Sequence, residues 1–401
     1  MDSRPAPPAF PFPAPDVLEP PPLYAELRQA APVCQVTLPS GDLAWLVTRY
    51  EDVRAILADP RFSREAITAP GAPRVLPIAQ GSKSIFVMDP PDHTRLRQLV
   101  GKAFAPQRIE QLRPRIEQVT AELVDRMLAA GPPADLIAGL AQPLPITVIC
   151  ELLGVPYADV ARFRAWTDLM LSFDTAAREA ITDAREQLTE YLSGLIAAKR
   201  REPANDLLTA LIQAREENDS LTEEELLAFG YTLLGAGYHA TTAEIVHAVL
   251  VLLRAPGQLA RLRQDRSLLP TAVDELLRRS QAGGGLGALR IATQDVRLGE
   301  VTIRAGEAVL PAINSANRDE SAFADPAGLD LGRRPNPHVA FGYGIHHCVG
   351  AQLGRIELQV ALAALLERMP ALQLAVAEDA LTWNLRVAFR RPVELPVTWS
   401  G

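Results

Sequence analysis

Residues 222–254 carry the longest run of helical periodicity in the chain, and this run limits the fold more than any other stretch. Its opening, Ser220-Leu221-Thr222-Glu223-Glu224-Glu225, offers an N-cap followed by acids that suit the positive end of a helix. At the usual helical rise it is about 50 Å long, the breadth of a whole domain, so the remaining chain has to pack around it. Further helical periods run over 92–104, 107–130, 138–153, 157–172, 178–201, 204–217, 257–264, 268–279 and 350–368, with a short helix over 50–58. β-like pieces fall at 33–38, 44–48 and 291–314 and in the tail to Trp399. The expected fold class is mainly α with small β portions.

Hydrophobic residues make up 48% of the 401 and charged residues 22%, enough for a large core. A net charge of -8 argues against a nucleic-acid partner. Nine prolines in the first 22 residues read as an extended segment, and neither the basic start nor the apolar run of a signal peptide is present. A single catalytic domain is expected over 23–401. Charge or turn residues interrupt the most apolar stretches short of a bilayer's thickness, so no membrane is expected. Cys34, Cys150 and Cys348 are scattered and odd in number, which points to a reducing cytoplasm rather than a disulfide framework.

The sharpest chemical signal is Phe341-Gly342-Tyr343-Gly344-Ile345-His346-His347-Cys348-Val349-Gly350. A cysteine at the start of a helix is favoured as thiolate by the helix amides and dipole. The glycines let the backbone turn tightly and let a flat cofactor approach. A capping loop with an incidental cysteine is the plain alternative. A zinc site is another, but adjacent His346, His347 and Cys348 rarely converge on one tetrahedral ion.

This segment matches every fixed position of F-G-x-G-x-H-x-C-x-G, the haem-binding loop of the cytochrome P-450 family, which the chain resembles. Three other segments agree. Glu275 and Arg278 supply the family's E-x-x-R, with Arg333 as the third member. Asp92-His93-Thr94-Arg95-Leu96-Arg97 resembles the opening of the helix whose His93 and Arg97 would bind haem propionates. Arg290 and His346 match the remaining propionate ligands. The resemblance runs from Trp45 to the tail and looks like the bacterial soluble branch. It implies a triangular helical prism holding haem b between the long central helix and the Cys-loop helix. Cys348 would be the axial ligand, a thiolate that favours O–O cleavage.

Two departures stand out. The long helix reads Gly235-Ala236-Gly237-Tyr238-His239-Ala240-Thr241-Thr242, where the family usually has an acid before the threonine. Anchoring on the threonines puts Ala240 at the acid position; anchoring on Ala236-Gly237 requires one extra residue, which a π-bulge would absorb. Thr241 is the expected alcohol of the proton supply, with water in place of the acid. The segment 280–289 is unusually rich in glycine and is expected to widen the substrate pocket. Phe86, Tyr238, His239, Ala240, Gly284, Leu286, Ala288 and Phe389 are the expected lining. The implied activity is oxidation, chiefly hydroxylation, of a bulky, mostly apolar specialised metabolite with O₂. Electrons are expected from a ferredoxin and its reductase, since no phosphate-binding glycine loop follows. Oxidative C–C or C–N coupling of an aromatic or cyclodipeptide substrate is the enzymatic rival. A non-catalytic haem-binding protein is the rival from another class.

Overall fold

The computed structural model describes residues 6–75, 84–170, 178–218, 221–283, 288–385 and 389–400. The chain divides into two compact units. The first comprises Met1–Thr94, Leu277–Leu329 and Arg334–Cys348; the second comprises Arg95–Leu276, Asp330–Arg333 and Val349–Gly401.

The first unit is built on a sheet of β1 (Val33–Thr37), β2 (Leu43–Val47), β3 (Phe62–Ser63), β5 (Arg290–Ala292) and β8 (Ala308–Pro311), in the order β1-β2-β8-β5-β3. A hairpin of β6 (Val296–Leu298) and β7 (Val301–Ile303) and the helices α1 (Leu23–Ala30), α2 (Tyr50–Ala58) and α13 (Ile313–Ala316) complete it. Alternation along the strands sorts the side chains by face. Val36, Leu46, Ile291 and Leu310 pack with Phe10, Phe12 and Tyr24, whereas Val47, Ala292 and Val309 pack with Val53 and Ile56 of α2. The proline-rich start is therefore part of this unit's core, tied on by the Phe10 amide donating to the Thr37 carbonyl at 2.8 Å.

The second unit is helical. It holds α4 (Pro106–Glu110), α5 (Arg113–Ala130), α6 (Pro143–Leu153), α7 (Val160–Met170), α8 (Arg178–Arg201), α9 (Leu207–Asn218), α10 (Glu223–Arg254), α11 (Pro256–Gln264) and α14 (Ala351–Arg368). Most of α3 (Asp92–Ala103) and of α12 (Leu269–Arg279) also lies in it. A small sheet joins β4 (Ala134–Asp135), β12 (Pro396–Thr398) and β9 (Gln373–Leu374), and β10 (Trp383–Asn384) pairs with β11 (Arg391–Pro392). The expected helix over 107–130 is two helices, because Pro114 lacks the amide that a continuous helix needs and restricts the residue before it.

Helix α10 begins as the sequence indicates. Thr222 accepts from the Glu225 amide at 3.1 Å, and the Glu225 carboxylate accepts from the Thr222 amide at 2.8 Å, a complete capping box. Glu225 also binds Arg95 of α3. The helix is α-helical throughout, so the register that needs a π-bulge is not adopted. Gly237 lets α6 come close: a Cβ there would lie 3.1 Å from Ile149. By length and composition α10 could cross a membrane, which the sequence reading did not foresee, but 61% of its most apolar window is buried inside the protein.

One buried acid sits in α14. Glu357 is 2% exposed, its Oε1 has no hydrogen-bond partner among the described residues, and burial pushes its carboxyl up to about 8. The folded state therefore holds this proton where the unfolded chain has lost it. The associated stability is fully present below the unfolded value near 4.5 and is lost as pH rises through about 8. Glu357→Gln, which mimics the protonated acid at every pH, should match the wild type at pH 5. At pH 9 it should be more stable by about 4–5 kcal/mol. Thermal melts at the two pH values check this, and equal gains at both would count against it.

Candidate haem site

The cysteine loop lies in the first unit. Its ends are drawn together by the Cys348 amide, which donates to the Phe341 carbonyl at 2.8 Å. Gly342 and Gly344 both sit at φ 72°, and a Cβ on Gly344 would lie 2.6 Å from the Leu57 carbonyl oxygen. Tyr343 is held by Arg54 of α2, whose guanidinium donates to the hydroxyl at 2.8 Å and lies 4.4 Å from the ring centroid. The three thiols differ sharply. Cys150 is fully buried, and burial pushes its thiol up to about 12. Cys34 is half-buried and also raised by burial. Cys348 is exposed. Helix α14 opens at Ala351, so Cys348 precedes the first turn rather than standing in it.

The propionate candidates of this unit come together in part. The rings of His93 and His346 are 4.3 Å apart, with His93 only 2% exposed. Arg290 is buried and donates to the carbonyls of Ala288 at 3.0 Å and Leu289 at 3.2 Å. A residue the sequence reading passed over, Arg64, is buried with it and donates to the carbonyls of Phe86 at 2.8 Å and Leu289 at 3.0 Å. Burial lowers both guanidiniums, Arg64 to about 10 and Arg290 further, the latter also through the charge of Arg64. Asp89 is the carboxylate acting on both. Two buried cations facing one carboxylate leave positive charge that an acidic ligand group would balance. With an accessible sulfur on the same unit, this donor set fits haem b. Only the isolated position of Arg64, outside every helical and β-like stretch, could have drawn attention to it.

Of the expected pocket lining, Phe86 is 44% exposed and Ala288 is buried, whereas Gly284 and Leu286 lie outside the described residues. The second unit carries the rest. Arg97 lies on α3, half-buried, and Phe389 is half-buried beside β11. On α10, Thr241 is buried at 8% exposure and Ala240 is partly open. Tyr238 is sealed at 0%, so it presents no free surface to a pocket, and His239 is buried beside it. Burial, with the charge of Arg391, pushes His239 down to about 4, which keeps the ring neutral near pH 7.

Part of the expected E-x-x-R network is in place, the pair of Glu275 with Arg333. Glu275, fully buried, accepts from Arg333 Nε at 3.0 Å and from the Asp330 amide at 3.1 Å. In the first unit, Arg278 donates to the carbonyls of Asn317 at 2.7 Å, Pro326 at 2.9 Å and Gly328 at 3.2 Å. The basic run that follows the start of α3 is less positive than its sequence suggests. Arg95 pairs with Glu225, Arg113 with Glu110, and Arg115 with Glu151. Among the described residues, Lys102 and Arg108 have no carboxylate partner.

The profile of the Cytochrome P450 family matches residues 159–373. This chain belongs to that family; it is an oxidoreductase of the monooxygenase type, and haem b is the family's cofactor. Nocardicin C N-oxygenase of Nocardia uniformis subsp. tsuyamanensis is 49% identical to it over 98% of each chain. Mycinamicin IV hydroxylase/epoxidase of Micromonospora griseorubida is 48% identical over 94% of each. The crystal structure of HinD with NMFT and NO matches at a TM-score of 0.92 and 46% identity, covering 99% of this chain and 100% of that one. A non-catalytic role is thereby set aside.

Proposed function

We propose that this protein oxidises, chiefly by hydroxylation, a bulky and mostly apolar specialised metabolite. The observation that carries the reading is the first unit's pairing of an exposed Cys348 with the buried cations Arg64 and Arg290. Cys348 would hold the haem iron as thiolate; Arg290, His93, His346 and Arg97 would hold the propionates, and Arg64 joins them. Bound haem supplies the activation of O₂. Thr241 Oγ1 holds a proton for delivery, and water beside the small Ala240 side chain takes the place of the family's usual acid. A ferredoxin and its reductase supply electrons, and the unpaired Lys102 and Arg108 suit an acidic docking partner. The setting is cytoplasmic, in keeping with three cysteines that form no disulfide.

A screen of candidate scaffolds by Soret shift, followed by NAD(P)H-coupled turnover, tests the reading. With any substrate so found, Thr241→Ala should bind it as the wild type does but form on the order of tenfold less product per NAD(P)H, releasing peroxide instead. Full coupling in the variant would remove Thr241 from the proton supply. Product without oxygen insertion would move the assignment to C–C or C–N coupling.

A further inference from the structure

A cavity of about 350 Å³ opens in the second unit between α5, α6 and α7. Its size is at the lower end for small-molecule sites, which run from about 300 to 1,000 Å³. It shares no residue with the haem site. Val119 and Leu123 of α5, Ile146 of α6 and Val160 of α7 give it an apolar floor. Thr147 of α6 also lines it and is 7% exposed, and its hydroxyl makes no hydrogen bond among the described residues. Other helical threonines are satisfied within their own helix: Thr167 donates to the Phe163 carbonyl and Thr242 to the Tyr238 carbonyl, both at 2.9 Å. Thr147 makes no such bond to the carbonyl four residues back. A hydroxyl left unpaired on a nearly buried side chain that lines a cavity calls for a partner from within the cavity.

The charges of the lining set the rest of the ligand. Arg126 of α5 and Arg164 of α7 are exposed there and form no ion pair among the described residues. A third guanidinium, Arg115, is already held by Glu151, from Nε to Oε2 at 3.0 Å. Glu122 is the one carboxylate of the lining among the described residues, and it accepts from Gln118 at 2.9 Å. Two unpaired guanidiniums against one carboxylate leave the lining positive. Tyr157, 69% exposed, adds uncovered ring surface. A hydrocarbon would leave the hydroxyl and both cations unanswered, and a small inorganic anion would leave the apolar floor bare. A cation would meet repulsion from Arg126 and Arg164. An apolar body ending in a carboxylate answers floor, hydroxyl and guanidiniums together.

We propose that this cavity is a binding site for an amphipathic carboxylic acid. The apolar body of the acid lies on Val119, Leu123 and Ile146, and its carboxylate accepts from the Thr147 hydroxyl and from the guanidiniums of Arg126 and Arg164. Binding there is separate from oxidation at the haem.

Calorimetric titration of the holoenzyme with 4-phenylbutyrate, its neutral counterpart 4-phenylbutyramide and the cation 4-phenylbutylammonium tests the site. The Soret band, followed in parallel, reports on the haem pocket. The acid should bind about tenfold more tightly than the amide, the contribution of two exposed ion contacts, and the ammonium more weakly than either. Arg126→Gln combined with Arg164→Gln should abolish the preference for the acid and leave amide binding unchanged. Thr147→Val, which removes the hydroxyl, should weaken acid and amide alike by about fivefold. Both arginines are exposed, so the double variant should melt with the wild type, and it carries the test even if Thr147→Val is unstable. Equal binding of acid and amide by the wild type, or binding of neither, overturns the site. So does a preference for the acid that survives in the double variant, or a folded Thr147→Val that binds as the wild type does. Tighter binding of the ammonium overturns the carboxylate assignment in favour of a cation held by Glu122. Heat that tracks a Soret shift and is unmoved by the substitutions places the acid in the haem pocket and overturns the site as well.

Discussion

The Cys348→Ser variant is expected to lose the red-shifted Soret band of the reduced CO complex completely, and catalytic turnover with it. A serine hydroxyl, or a water in its place, donates far less charge to iron than a thiolate. Reactivity as thiolate depends on access and on surroundings that do not penalise the anion. Of the three cysteines only Cys348 is exposed, while burial raises the other two thiols. Cys34→Ala and Cys150→Ala should therefore keep the band. Cys150→Ala should cost some stability, because the fully buried sulfur fills space in α6. Retention of the red-shifted band in Cys348→Ser would displace the sulfur from the iron and remove the basis of the proposed function.

The second large effect concerns stability. Glu275 is fully buried, and Arg333, with a side chain 10% exposed, has it as its carboxylate partner at 3.0 Å. Removing one member of such a pair leaves the other charge desolvated and unanswered, a cost of about 3–5 kcal/mol. Glu275→Ala also strips the Asp330 amide of its acceptor. Urea unfolding should show a loss of that order for Glu275→Ala. Glu275→Gln, which keeps a hydrogen-bond acceptor, should lose less. A loss below about 1 kcal/mol for the alanine variant would mean that the pair is merely a surface-like contact.

How much of this was legible before the structure depends on the range of the interaction concerned. The long helix could be read because its cap, Thr222 with Glu225, and its apolar content are local in sequence. The cysteine loop could be read for the same reason: its glycines and cysteine fall within ten residues. What escaped was pairing between distant segments. Arg64 and Arg290 are 226 positions apart and meet because β3 and β5 are neighbours in the sheet. Asp168 stands against His239 across two helices, so the acid missing from Ala240's position gave no hint of a carboxylate arriving from α7. The arginines Arg95, Arg113 and Arg115 look largely unopposed in the sequence for the converse reason. Their neutralising partners Glu151 and Glu225 lie far along the chain, and only Glu110 was in view. The helix α1 was missed between prolines that mask a single short period.

The contact between Gly344 and helix α2 has a bearing on protein engineering. A loop that tolerates no side chain against the Leu57 carbonyl, and whose Tyr343 is gripped by Arg54, is shaped by α2 as much as by its own residues. The transplantable module is thus the loop together with residues 50–58, and a graft of 341–350 alone would carry the motif into a host without the surface that moulds it.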